Sequence, residues 1–265
     1  MRVLYSTIGD GVPQVTTSAT HQFGEETDRN GTSCRCHSLY LDGKPRHSVY
    51  VTEQLEDYRT VIKFCRQQAE FDPHRVILWG SSLSGGHVVS LASEKHLNIC
   101  AGVAQCPYLG VIAKSPLTLS AIKTLGWAVL DILKQAIGLS PIFIPAVAEN
   151  GTVGVLTSPG TFEGAYALVE NDGDYPNEIS ASSIFELPFY KPNVSAKDIA
   201  CPLLVVALEH DNICSIDGAR EVAAACDKVK LKVLDGGHFE AYPGQALFEE
   251  SLKTQVAFLL EACPP

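Results

Sequence analysis

An apolar run at 76–79 breaks into Gly80-Ser81-Ser82-Leu83-Ser84-Gly85-Gly86-His87, a string of small residues around a serine. A serine hydroxyl becomes an effective nucleophile where a sharp strand-to-helix turn presents it, and the residues two before and two after must be small because the backbone folds over itself there. Gly80 and Ser84 are those neighbours of Ser82. Ser84 stands where a glycine is usual and is itself the rival nucleophile, but it lies five residues past Trp79, inside the predicted helix. The register therefore favours Ser82.

A nucleophilic hydroxyl needs a base, and an imidazole with a pKa of about 6.5 can take the proton and return it to a leaving group. His238 sits in Asp235-Gly236-Gly237-His238-Phe239, just after the alternating segment Val229 to Leu234. A carboxylate on the other ring nitrogen would fix the tautomer and stabilise the imidazolium. Asp211 follows the apolar run 202–208 and is the candidate, with Glu209 at the strand end as the alternative acid if Asp211 points away. The N–H of Leu83, next after the nucleophile and at the positive end of a helix, is the expected oxyanion donor.

Each of these residues lies just past a predicted strand, and the elements between them alternate. A helix from Thr52, read as its cap, to about Gln68 places Leu55, Tyr58, Val61, Ile62 and Cys65 on one face. Ser84 to about Lys95 is the next helix, Ile99 to Cys106 a strand, and Gln245 to Glu261 a final helix burying Leu252, Val256, Leu259 and Leu260. Strands joined by long crossovers imply a parallel sheet with helices on both faces. The expectation is a single α/β domain over 1–265, mostly parallel, with an insertion at about 112–195.

That insertion is strongly apolar. Leu119, Ile122, Leu125, Trp127, Val129, Ile132, Leu133 and Ile137 make a helical stretch that leaves only Lys123, Asp131 and Lys134 to face water. One reading is a lid whose Leu125 and Trp127 line an acyl pocket; the other is an ordinary packed helix pair. Glu170 to Glu178 reads as a loop. Residues 1–38 are atypical: Val3-Leu4-Tyr5 followed by Ile8 to Gly11 is the one strand-and-glycine-loop candidate, and Thr16 to Cys36 is polar and loop-like. No His-Gly loop precedes the elbow, so the N-terminal strands are expected to be incomplete and the oxyanion hole to hold one well-placed donor.

Ser, Asp and His in this chain order match the α/β-hydrolase order. From Leu41 onward, about four-fifths of the chain, the sequence resembles fungal and bacterial α/β-hydrolases in the strings Asp42 to Arg46, Ser84 to His87, Ala104 to Pro107 and Gly236 to Phe239. It is most similar to the polyketide-transferase and thiohydrolase group of fungal secondary metabolism and toxin clusters. The resemblance implies the α/β-hydrolase fold, the same Ser82, Asp211 and His238, and an acyl ester or thioester substrate, including carrier-bound polyketide. The competing class is a non-catalytic hydrolase scaffold that binds an acyl chain or a partner enzyme.

Composition narrows the partners. A net charge of −10 without clustered lysine and arginine disfavours nucleic acid and anionic membranes. The insertion helix is too interrupted by charge to span a bilayer. Nine cysteines, an odd count, read as buried thiols in a reducing compartment, and without a leader-like start or a C-terminal SKL the expected location is cytoplasmic. Cys34-Arg35-Cys36-His37 is too tightly spaced for a zinc knuckle, so neither metal nor cofactor is expected.

Overall fold

Val-Ile-Leu-Trp at 76–79 and Leu-Leu-Val-Val-Ala-Leu at 203–208 are apolar at every position, a pattern stable in a strand only when the sheet is covered on both sides. The computed structural model, which describes residues 2–6, 34–35, 47–69, 72–111, 118–169 and 176–264, places both in the middle of one sheet. The strands are β1 (Arg2–Ser6), β2 (Cys34–Arg35), β3 (Val76–Ser81), β4 (Ala101–Gln105), β5 (Phe143–Ile144), β6 (Ile179–Ser180), β7 (Leu203–Leu208) and β8 (Val229–Leu234). The helices are α1 (Val51–Gln67), α2 (Leu83–Ala92), α3 (Leu119–Ala136), α4 (Thr161–Tyr166), α5 (Ile216–Ala225) and α6 (Phe248–Ala262).

Six strands form a parallel sheet in the order β2-β1-β3-β4-β7-β8, and β5 pairs antiparallel with β6 in a separate ribbon. Alternation along each strand divides the core. Leu78, Ala104, Leu203 and Val205 pack with Tyr58 and Ile62 of α1, Val88 and Leu91 of α2, and Val222 of α5 on one face. Ile77, Val103, Leu204 and Val206 pack with Leu252, Phe258 and Leu259 of α6 on the other. This is the α/β-hydrolase fold expected from the sequence.

Several local expectations change. The α1 face is as predicted, with Leu55 partly buried, but Thr52 lies inside the helix and Tyr50 precedes it without a side-chain cap. In α6, Phe248 and Phe258 are buried while Leu260 is 50% exposed. Val3 to Tyr5 fall in β1, which runs between β2 and β3 with Ser6 opposite Gly80. Cys34–Arg35, expected in a loop, pairs as β2. The Ile8 to Gly11 loop, most of Thr16 to Cys36, and residues 170–175 of the expected loop at Glu170 to Glu178 lie outside the described residues, as do Cys36 and His37.

The insertion between β4 and β7 departs furthest. In α3 the buried residues are Thr124, Ala128 and Asp131, and the apolar residues are exposed. Asp131, expected to face water, is 0% exposed. It accepts hydrogen bonds from Ile142 N–H (2.7 Å), Ser180 Oγ–H (2.6 Å) and Ser182 N–H (2.8 Å). Burial acts to raise its pKa, but these donors outweigh it and hold the carboxyl below its ordinary value. A carboxylate with three donors is a good buried anchor, which explains why α3 presents a polar stripe inward.

Cysteine pairing is also corrected. Cys100, just before β4, is bonded to Cys263, just after α6. Cys65, Cys106, Cys201, Cys214 and Cys226 are free thiols, four of them buried.

Candidate active site

The elbow follows from what the backbone allows at β3. A Cβ at Gly80 would run into the carbonyl of Ser84, and one at Gly86 into the carbonyl of Tyr108, so glycine is required at both positions. Between them Ser82 adopts φ 54° and ψ −120°, a conformation strained for a residue with a side chain. Hydrogen bonds hold it there. Its N–H donates to Gln105 (2.9 Å), and its carbonyl accepts from Tyr108 (2.8 Å) and Gly86 (3.3 Å). Leu83 opens α2, where an N–H has no intrahelical acceptor. Ser84 is within α2 and buried, away from the turn.

Asp211 lies past the end of β7, and its side chain is fixed on both oxygens. Oδ1 accepts from the N–H groups of Ile213 (2.8 Å) and Cys214 (2.7 Å), and Oδ2 lies 2.7 Å from Nδ1 of His238. The side chains of His238 and Asp211 are 3% and 1% exposed, so their interaction is shielded from water. Glu209 points elsewhere: both its oxygens accept from Arg220 at the surface. His210 is likewise exposed, paired with Asp235.

The structure also brings in a residue that sequence reasoning missed. The Cys214 thiol lies 3.9 Å from the Ser82 hydroxyl and also adjoins His238. No motif marks it. The turn made by Asp211 on the backbone of Ile213 and Cys214 carries the third residue past the acid back into the site, and that turn is the only signal the sequence holds. Burial acts to lower the pKa of His238, but the facing Asp211 carboxylate reverses this and raises it to about 10. Burial also raises the Cys214 and Cys106 thiols, favouring their neutral forms.

Cys106, Asp211 and His238 hold potential metal-ligand atoms within 4.8 Å of one another. The carboxylate and the imidazole are bonded to each other and the Cys106 thiol lies 3.5 Å from the His238 carbonyl, so the group is committed to internal contacts. His87 is a packing histidine. Its ring bonds Tyr190 (2.8 Å) and Gln54 (2.9 Å), and burial pushes its pKa down to about 3.

The insertion sits against this centre. Asn212, beside the acid, bonds Ser158 and Pro159, and Gly164 of α4 lies against Phe239, beside the histidine. A buried cluster joins Leu83, Tyr108 and Cys214 to Ile144, Val147, Ala165 and Ala128. Ala128 is the α3 residue in that cluster; Leu125 and Trp127, expected in the pocket wall, lie on the flanks of α3, 46% and 43% exposed.

No family model matches the chain. It is 29% identical to the quorum-quenching protein AidA of Acinetobacter baumannii over 84% of this chain and 73% of that protein. It is 24% identical to a polyketide transferase of Stachybotrys chlorohalonatus over 82% and 74%, and other fungal matches are named acyltransferase and thiohydrolase. The solved α/β-hydrolase GrgF of Penicillium sp. sh18 superposes with a TM-score of 0.73 at 18% identity, covering 99% of this chain and 90% of its own. The chain thus has the α/β-hydrolase fold and is similar in sequence to proteins named polyketide transferase, acyltransferase and thiohydrolase.

Proposed function

We propose that the chain is a serine hydrolase or acyltransferase that acts on an ester or thioester. Two observations support this reading: the shielded Asp211–His238 pair and the strained strand-to-helix turn of Ser82, which share Cys214 as a neighbour, its thiol 3.9 Å from the Ser82 hydroxyl and adjoining His238. Ser82 attacks the acyl carbon while His238 takes its proton, and the N–H of Leu83 stabilises the oxyanion. His238 then protonates the leaving thiol or alcohol, and the acyl-enzyme passes its acyl group to water or to an acceptor alcohol. Asp211 holds the imidazole and balances its transient charge. Relatives named polyketide transferase and thiohydrolase favour a small acyl substrate of secondary metabolism, carrier-bound polyketide included, and the quorum-quenching relative adds other small molecules to the substrate panel. The insertion is the lid in this proposal, with Leu125 and Trp127 receiving the far end of a long acyl chain.

A fluorophosphonate probe tests the nucleophile without knowledge of the substrate. The full chain should be labelled, Ser82→Ala should lose both labelling and thioester turnover, and Ser84→Ala should lose little of either. Equal losses in the two variants would place the turn wrongly; an unlabelled parent chain would favour a non-catalytic scaffold.

A further inference from the structure

Exposed large apolar side chains are not spread over this molecule. Of the sixteen among the described residues, ten lie between Leu119 and Leu139, on and just beyond α3. Together they expose on the order of 900 Å², above the few hundred Å² of a typical monomer's largest apolar patch and close to the roughly 800 Å² that one partner contributes to a standard interface. The inward face of the helix is already occupied by Thr124, Ala128 and Asp131, so no rotation of α3 in place would bury this surface without exposing the anchored carboxylate.

The pattern within the patch specifies the kind of partner. Leu119, Ile122, Gly126, Val129, Leu133 and Ala136 recur at alternating spacings of three and four and are all exposed. That is the 3.5-residue repeat of a helix-to-helix seam, where side chains of one helix fill holes on another. Gly126 lies near the middle of the seam with nothing within 4 Å of a Cβ built on it, leaving room for a second backbone to approach closely.

We propose that α3 is a dimerisation helix, pairing antiparallel with α3 of a second copy of this chain about a two-fold axis between Gly126 and Val129. This register sets Lys123 opposite the partner copy's 132 and Lys134 opposite its 121, so no like charges meet. It satisfies the closed, self-complementary symmetry of a two-fold interface. It also fits the charge distribution: Asp131 is buried, so the charges left near the seam are the exposed Lys123 and the half-buried Lys134, and no acid of the stretch faces the second copy. Leu125 and Trp127, given above to the acyl chain, contribute to the exposed area but not to the seam, so the pairing does not rest on the catalytic reading.

Sedimentation of the full chain from about 0.1 to 50 µM should show twice the 28.5 kDa chain mass at the upper end. Leu133→Glu should weaken association by about 30-fold or more, as expected for a buried contact near the centre of an interface. Gly126→Leu should weaken it too while leaving the melting temperature equal or higher, because leucine favours a helix and the site is open. Added salt should leave association unchanged or strengthen it, since it screens the repulsion of two acidic bodies. A monomer across the range, or a dimer that ignores both substitutions, would overturn the proposal. So would a monomer that floats with phosphatidylglycerol vesicles and is released by salt, which would assign the same face to a lipid surface.

Discussion

His238 can act as a base only when neutral, and its surroundings work against that state. With its pKa raised toward about 10 by the facing carboxylate, kcat/KM for an activated thioester should rise with pH through a midpoint above the ordinary imidazole value of about 6.5. Asp211→Asn should draw that midpoint back toward 6.5 and lower the plateau by about 10⁴, whereas Glu209→Gln, whose carboxylate is held by Arg220, should change neither. The same shift fixes a stability trend. Since the folded-state value lies above the unfolded one, the contribution of the pair is fully present below about pH 6.5 and is lost as pH rises through about 10. A parent midpoint at or below 6.5, or a large effect of Glu209→Gln with a small one of Asp211→Asn, would be incompatible with this arrangement. Of the candidate site, Ser82, Asp211 and His238 are legible in the sequence because each is a reactive type placed just past an apolar run. Cys214 is not, since only the turn at Asp211 gives a thiol three residues on a place beside the serine.

At the scale of elements, α3 illustrates what periodicity conveys and what it omits. Its apolar residues predict a helix, and the helix forms at Leu119–Ala136. Periodicity assigns the three charges to water on transfer energies alone, yet one of them, Asp131, finds three donors in the following segment and is favoured inside. The donors come from Ile142, Ser180 and Ser182, up to 51 residues away, so no local pattern announces them. The elbow was readable for the opposite reason. Its signature is local, small residues within seven positions with glycine at 80 and 86, although the carbonyl that dictates Gly86 belongs to the distant Tyr108. For the insertion acting as a lid, replacing Leu125 and Trp127 together by alanine should lower kcat/KM for long acyl thioesters more than for short ones. Each methylene of substrate that loses its contact forfeits about 0.8 kcal/mol at most. A uniform loss across chain lengths would indicate damaged packing instead of a lost pocket wall.

The whole molecule is closed by a link that composition conceals. An odd number of cysteines rules out complete pairing but permits one pair, and Cys100 and Cys263, 163 residues apart, are joined. The bond ties the start of β4, in the middle of the sheet, to the end of α6, the helix that covers one face with Leu252, Phe258 and Leu259. Cross-linking such distant points removes a large share of the freedom of the unfolded chain, about 2–5 kcal/mol on the loop-entropy argument. The candidate site lies at the opposite end of the sheet, past Ser81 of β3 and Leu208 of β7, so the link and the proposed chemistry are separated by the length of the strands. Cys263→Ser should therefore lower the melting temperature while leaving fluorophosphonate labelling of the folded protein intact. Reductant should lower the melting temperature of the parent by a similar amount and that of Cys263→Ser by little. A parent protein indifferent to reductant, or a variant that melts normally but no longer labels, would show that the link does not clamp α6 in this way.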